Sequence, residues 1–148
     1  MSCTAVSSCQ TITALIECVP SIYQGTDYYF EIQLYDEEGI PLDLTEFSGI
    51  YMQLYTDGYN YAIFQWPLPT DSDSEPIIII QNGQIDVGII AFNITAEMSS
   101  KFLTGSLFAE IKFKKDSETT GGNPVYSTIG CLNIGNVKQS LTRDITDF

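Results

Sequence analysis

The 148-residue chain contains no histidine and few basic residues: six Lys and Arg stand against nineteen Asp and Glu, a formal net charge of −13. The missing imidazole removes the commonest general base and the usual metal ligand. The excess negative charge repels phosphate backbones and anionic membrane surfaces. We therefore expect no nucleic-acid partner, no membrane partner, no cofactor and no enzymatic activity.

Cysteine is also scarce, and no two cysteines have the Cys-x-x-Cys spacing of a metal site. The four are Cys3, Cys9, Cys18 and Cys131. They are too few for a disulfide scaffold in a chain of this length, so free thiols are expected. No apolar run is long enough to span a membrane, and Met1–Gln10 lacks the basic residues of a secretory signal. We expect the chain to act where it is made, in a cytoplasm or in a particle assembled there.

The stretch Gly25–Thr45 organises the rest of the sequence. Large and polar residues alternate from Asp27 to Tyr35, which predicts a half-buried strand. Its buried face carries Tyr28, Phe30, Ile32 and Leu34. The acids and glycine of Asp36–Gly39 predict a turn, and Pro41 predicts an edge or crossing segment rather than a central strand.

Similar alternation predicts seven more strands, at 10–18, 50–55, 61–66, 77–80, 85–92, 106–114 and 124–134. Asn82-Gly83 predicts a tight hairpin between two of them, because both residues tolerate the positive φ of a type I′ turn. Thr95 is expected to cap one short helix within 95–103. The acidic, proline-rich run Pro67–Pro76 is expected to be an exposed irregular loop.

This pattern of about seven or eight short strands and one helical crossover near 95–103 predicts an all-β sandwich of Greek-key type. Residues 10–137 then form a single domain, flanked by an N-terminal arm, 1–9, and a C-terminal tail, 138–148. Both ends lie outside the strand pattern, and we expect one or both to become ordered against partner chains; the alternative interpretation is a frayed terminus. Leu141, Ile145 and Phe148 recur at intervals of four and three, so they would share one face if the tail became helical on a partner.

Tyrosine is abundant, with nine residues, and several fall on the outer faces of the predicted strands. The candidates for a protein interface are Tyr29, Tyr35, Tyr51 and Tyr55. One interpretation is the high strand propensity of tyrosine and its cross-strand pairing. The other is a contact surface, because Tyr supplies large contact area at low entropic cost.

Two groups of acids are weaker candidates for chemistry. Asp71, Asp73 and Glu75 alternate like the first ligands of a calcium loop, but the glycine and distal glutamate of an EF-hand are missing. A second group, near the Gly39 turn, contains the paired carboxylates that glycosidic cleavage needs: Asp36, Glu37, Glu38 and Asp43. For both groups, a hydrated acidic loop is the favoured interpretation.

The order of these elements resembles a known family. The carrying residues are Gly-Thr-x-Tyr-x-Phe-x-Ile-x-Leu-x-Asp-x-x-Gly-x-Pro-x-Asp-Leu-Thr over Gly25–Thr45, the Asn-Gly hairpin, the helical segment followed by Gly105, and a final hairpin ending in Gly130-x-Leu-x-Ile. This pattern resembles the N-terminal domain of tailed-phage baseplate upper proteins and related tail and head-fibre proteins. The resemblance implies an immunoglobulin-like β-sandwich that acts as an attachment platform in a virion.

Two classes of function follow as expectations. The first is a structural virion component, an adaptor, capsid decoration protein or ring subunit that contacts other virion proteins and copies of itself. The end of the sequence soon after the last predicted strand favours this class, since the similar domains commonly precede a longer fibre. The alternative is a carbohydrate- or receptor-binding module of a tail or head fibre, with aromatic faces and acidic loops serving as the sugar site.

Overall fold

A computed structural model describes residues 5–9, 12–16, 19–70, 73–80, 88–117 and 121–141, with only the backbone of 5–9. Two β-sheets pack face to face. The five-stranded sheet has the order β1-β2-β4-β9-β8, with every neighbouring pair antiparallel. Its strands are β1 (Ala5–Cys9), β2 (Ile12–Ile16), β4 (Tyr28–Tyr35), β8 (Ile78–Ile80) and β9 (Ile89–Ile94).

The six-stranded sheet has the order β3-β11-β10-β5-β6-β7. Its strands are β3 (Ser21–Tyr23), β5 (Gly49–Thr56), β6 (Tyr59–Trp66), β7 (Glu75–Pro76), β10 (Gly105–Lys115) and β11 (Val125–Lys138). The two end pairs, β3 with β11 and β6 with β7, are parallel, and the inner pairs are antiparallel. The predicted all-β sandwich is therefore confirmed.

Each of the eight predicted strands has a counterpart, and the alternation places the expected side chains in the core. Phe30, Ile32 and Leu34 of β4 are buried, as are the inward residues of β5 and β10. Phe92 of β9 stacks on Phe30 at a ring distance of 5.2 Å and contacts Phe64 of β6 at 5.0 Å. These three rings join the two sheets.

Three further strands were not expected. The N-terminal arm was predicted to lie outside the strand pattern, but Ala5–Cys9 forms β1 and pairs along its length with β2 of the same chain. That prediction is therefore wrong for these residues. The predicted loop Pro67–Pro76 also ends in a strand, β7, because Pro76 lies at a sheet edge, where its missing N–H is tolerated.

The third unexpected strand, β3, pairs with the C-terminal end of β11, far away in the sequence. Its central residue, Ile22, is fully buried against Gly135. A β-carbon at position 135 would overlap the Ile22 side chain, so glycine at that position permits the close approach of the two strands.

The turn after β4 forms as predicted. Gly39 has a φ of 79°, and the Asp36 carboxylate accepts hydrogen bonds from the backbone N–H groups of Glu38 and Ile40 at 2.9 and 3.0 Å. Pro41 makes an isolated bridge to Tyr35. The chain then enters a 3₁₀ turn, Leu44–Glu46, capped by Asp43, before it crosses to the six-stranded sheet.

The predicted Asn82-Gly83 turn lies outside the described residues. The strands on either side, β8 and β9, pair antiparallel, with Ile80 opposite Ile89. Between β9 and β10 the chain crosses sheets through helix α1 (Ala96–Ser100), and Thr95 caps it as expected, accepting the Met98 N–H at 3.2 Å. No helix in the described part of the chain is long and apolar enough to cross a membrane.

Candidate functional site

The four candidate tyrosines do not form one surface. Tyr29 and Tyr35 alternate with the core residues of β4 and so point outward from the five-stranded sheet. Tyr51 and Tyr55 point outward from β5, on the opposite side of the sandwich. A shared interface through all four is therefore excluded, although each pair remains available by itself.

Tyr55 belongs to a small cluster on the outer face of the six-stranded sheet. Its ring stacks on Phe108 at 5.8 Å, and its hydroxyl accepts the Cys131 N–H at 3.1 Å. The same hydroxyl lies 3.6 Å from the Cys131 sulfur. Desolvation, followed by the hydrogen bond to the thiol, raises the pKa of Tyr55 above its ordinary value. Cys131 is an exposed free thiol, whereas the side chains of Cys3, Cys9 and Cys18 lie outside the described part.

The acidic group near Gly39 has a structural role in the described chain. Asp36 holds the turn, and the Asp43 carboxylate accepts from the Thr45 N–H at 3.0 Å and the Thr45 hydroxyl at 2.6 Å. Glu37 and Glu38 are exposed. The structure thus assigns Asp36 and Asp43 to turn and cap formation.

The candidate calcium ligands are only partly described, since Asp71 lies outside the described ranges. Asp73 is exposed, and Glu75 is half-buried in β7. Over the described part of the chain, no group of three or more Cys, Asp or Glu is close enough to hold a metal ion. In the C-terminal tail, Leu141 is 99% exposed, while Ile145 and Phe148 lie outside the described residues.

Asp73 and Glu75 instead border an open groove of about 550 Å³ beside β6 and α1. We call this the β6 groove. Its lining comprises Asn60, Tyr61, Ala62, Ile63, Asp73, Ser74, Glu75, Thr95, Glu97, Met98, Lys101 and Phe102. It therefore brings together the end of the acidic loop, the N-terminal half of β6 and the helix.

The apolar floor of the β6 groove is shaped by a β-bulge. Gln53 pairs with Ile63 and Tyr55 with Asn60, so two β6 residues, Tyr61 and Ala62, lie opposite one residue of β5. A bulge changes the direction of the side chains that follow it. Tyr61 accordingly packs on Phe102 at 4.8 Å, and its hydroxyl accepts the Leu103 N–H at 2.9 Å.

The helical wall of the groove is fixed by the loop before β4. Thr26 donates its N–H to the Ser99 hydroxyl at 3.0 Å, and this hydroxyl donates to the Thr26 carbonyl at 2.8 Å. Asp27 accepts the Ala96 N–H at 2.6 Å, and the Gln24 amide donates to the Phe102 carbonyl at 2.7 Å. Ser99 is fully buried. Three residues of one loop therefore hold α1 against the end of the sandwich.

The charges around the groove are mostly negative. Asp73 and Glu75 come from the end of the acidic loop and from β7, and Glu97 comes from α1. Lys101 is the single cation among the groove residues, and its Nζ lies 3.7 Å from a Glu97 oxygen in an exposed pair. Such exposed pairs are weak, so the groove keeps a net negative potential.

The strand at the groove is paired on one side only over most of its length. On the side away from β5, β7 pairs with Phe64 and Gln65 of β6. Within the described ranges, no strand pairs with Tyr59–Ile63 on that side. The short β7 ladder also fixes the backbone of Glu75 at the end of the groove.

The sequence predicts several parts of the β6 groove but not that they lie next to one another in the fold. Asp73 and Glu75 are expected in an acidic loop, and Asp27 is expected at the start of a strand. Asp27 and the preceding Thr26 also dock α1. Comparison of the chain with protein-family models, with curated proteins and with solved structures finds no match.

Proposed function

We propose that the chain is a non-enzymatic structural component of a tailed-phage virion, an adaptor, decoration protein or attachment platform that acts through protein–protein contacts. The observation that carries the proposal is the Gly25–Thr45 pattern. Its residues build one continuous unit: β4, the turn at Gly39, the bridge at Pro41 and the cap at Asp43. The residues that carry the resemblance thus have definite folding roles at the centre of the five-stranded sheet.

The exposed apolar side chains support a role in protein contacts. Val125 and Tyr126, at the start of β11, are 60% and 53% exposed, and Ile63 beside the β6 groove is 50% exposed. Neighbouring exposed aliphatic and aromatic groups, as at Val125 and Tyr126, often mark interaction sites on a folded domain. The partners in this proposal are other virion proteins and further copies of the chain, assembled in the host bacterial cytoplasm.

Particle fractionation tests the proposal directly. A lysate of phage-producing cells is separated on a density gradient, and an antibody against the folded chain is used to probe each fraction. We expect the protein to comigrate with particles after a high-salt wash. Its confinement to the unassembled fractions would reject the virion role.

The C-terminal tail offers a second measurement on the same particles. Leu141 is almost completely exposed at the end of the described chain, and we propose that the tail gains its partner contacts in the particle. A chain truncated after Leu141 is expected to fold normally but to show reduced incorporation. A Leu141→Ser variant of the full chain serves as the single-residue comparison. Equal occupancy for all three chains would leave the tail without a role in assembly.

A carbohydrate-binding module is the second candidate, and the β6 groove is the observation that favours it. Carboxylates at Asp73, Glu75 and Glu97 beside the Tyr61 ring combine hydrogen-bond acceptors with an aromatic surface. A glycan array separates the two functions. Binding of a defined sugar that is lost in Tyr61→Ala, with folding intact, would favour this candidate.

A further inference from the structure

We infer that the β6 groove binds an extended, basic segment of a partner protein. This inference rests on the proposed role in protein–protein contacts and names the chemistry of one partner. The groove has an apolar floor and three carboxylates, Asp73, Glu75 and Glu97. Within the described ranges, its strand β6 has no partner along Tyr59–Ile63 on the side away from β5.

The shape of the groove favours an extended chain. The groove is open, about 550 Å³ in volume, and follows β6 from Asn60 to Ile63 before reaching the β7 ladder. The bulge at Tyr61 and Ala62 interrupts the regular spacing of the β6 backbone, which hinders a long strand-to-strand ladder. Side chains of the partner, rather than a continuous backbone ladder, therefore supply most of the recognition.

The negative charge of the groove favours partner side chains that carry a positive charge. Asp73, Glu75 and Glu97 all line the groove, and its one lysine, Lys101, lies 3.7 Å from a Glu97 oxygen. Lys and Arg side chains satisfy this arrangement, because their aliphatic stems cover apolar surface while their charged ends reach carboxylates. The overall charge of −13 also steers a basic segment toward the protein.

The apolar part of the site is preorganised. Tyr61 is held by Phe102 and by the Leu103 N–H, and α1 is held through Ser99 and Asp27. A rigid groove loses little conformational freedom when a ligand binds, which favours affinity. The half-buried Met98 adds an adaptable apolar contact beside this floor.

Peptide binding to the full chain tests the inference. The probe is a fluorescent peptide of alternating lysine and threonine, and its comparison is the same peptide with glutamate in place of lysine. Binding is followed by anisotropy at low and at physiological ionic strength. We expect saturable binding of the lysine peptide alone, weakened but still measurable at the higher salt concentration.

Two sets of variants locate the binding. The groove set combines Asp73→Asn, Glu75→Gln and Glu97→Gln, and we expect about a tenfold or larger loss of affinity. The control set combines Glu37→Gln, Glu38→Gln and Glu110→Gln, which removes the same charge from exposed positions outside the groove. The control set should bind within about twofold of the unmodified chain.

Reversing the charge of Lys101 should raise the affinity for the lysine peptide instead of lowering it. Lys101→Glu adds a carboxylate to the groove wall and should tighten lysine-peptide binding by about threefold or more. Equal losses in the groove and control sets, no effect of Lys101→Glu, or equal binding of the glutamate peptide would each overturn the inference.

Particle fractionation separates failure of this inference from failure of the proposed function. If the groove set loses peptide binding, its incorporation into particles is measured in the same gradient. Specific peptide binding without any association with particles would support the groove but reject the virion role. Particle association without specific peptide binding would reject the groove and leave the virion role intact.

Discussion

β4 and β6 are both eight residues long, and both begin with tyrosine, yet they behave differently in the fold. β4 alternates cleanly and fully buries Ile32 and Leu34, with Phe30 almost as deep. β6 fully buries one large side chain, Phe64, and leaves Ile63 half exposed. The two strands therefore contribute unequally to the core.

The difference comes from the neighbours of each strand. β4 lies between β2 and β9 and pairs with β9 over six residues. β6 pairs with β5 on one side but only briefly with β7 on the other, and a bulge interrupts it. A strand with a neighbour on each side is thus constrained by its pattern, whereas a strand covered only briefly on one side has side chains left over for a site.

The largest effect is expected where the two strands share a contact. Phe92 touches Phe30 of β4 and Phe64 of β6, so Phe92→Ala leaves a cavity between the sheets. We expect a loss of about 3–5 kcal/mol in the free energy of unfolding. Urea denaturation measures it, with Val125→Ala, at an exposed site, as the control. A loss below about 1 kcal/mol would show that the three rings do not join the sheets.

A matched pair of substitutions compares the two strands directly. Ile32→Ala in β4 removes a fully buried side chain and should cost about 2–5 kcal/mol. Ile63→Ala in β6 removes one that is half exposed and should stay within about 0.5 kcal/mol. Chemical denaturation of both variants in the same buffer gives the ratio of their losses in unfolding free energy. Similar losses would remove the contrast between the strands.

Ser99 tests how firmly the loop before β4 holds the wall of the β6 groove. Ser99→Ala removes hydrogen bonds to both the N–H and the carbonyl of Thr26, and should cost about 1–3 kcal/mol. Hydrogen exchange should show faster exchange within α1. Ser100→Ala is the control, since its hydroxyl is exposed and bonds only within the helix. Equal exchange rates in the two variants would contradict the docking role.

A smaller loss of stability than for Ser99→Ala is expected on the outer face of β5. Tyr55→Phe removes the acceptor for the Cys131 N–H and should cost about 0.5–1.5 kcal/mol. The raised pKa of Tyr55 means that the folded state holds the phenol proton more tightly than the unfolded state. This stabilisation is present below about pH 10 and is lost as the pH rises through the folded-state pKa.

Alkaline denaturation checks that pH dependence. The unmodified chain should lose more stability above about pH 10 than Tyr55→Phe does. Tyr59→Phe serves as the control, because Tyr59 is 57% exposed. Parallel pH profiles for all three chains would exclude the contribution of Tyr55.

The sequence predicts those parts of the fold that depend on neighbouring residues. The buried face of β4, the Gly39 turn and the Thr95 cap all depend on side chains within a few positions of one another. The contacts that escaped prediction join distant segments. β3 and β7 pair in parallel with strands to which no hairpin turn connects them, so no turn signal in the sequence predicts these pairings. β1 could not be predicted because it lacks an alternation of large apolar residues.

The β6 groove could not be predicted from the sequence for the same reason. Asp73, Tyr61 and Glu97 meet only after the bulge in β6 and the docking of α1 by Thr26 and Asp27 have fixed their positions. The outward tyrosines were recognised from alternation, but their division between two sheets depends on which strands share a sheet. Local pattern assigns a residue to a face, while topology decides which faces meet.

The pairing of β3 with β11 has a consequence for the order of synthesis. Ile22 packs on Gly135, so one of the earliest strands joins its sheet only through the last one. During translation, β3 must wait until β11 has left the ribosome. Contacts between such distant residues also slow folding. We expect ribosome-stalled chains ending before β11 to be readily proteolysed around Ile22, and protection there to appear only in chains that include β11.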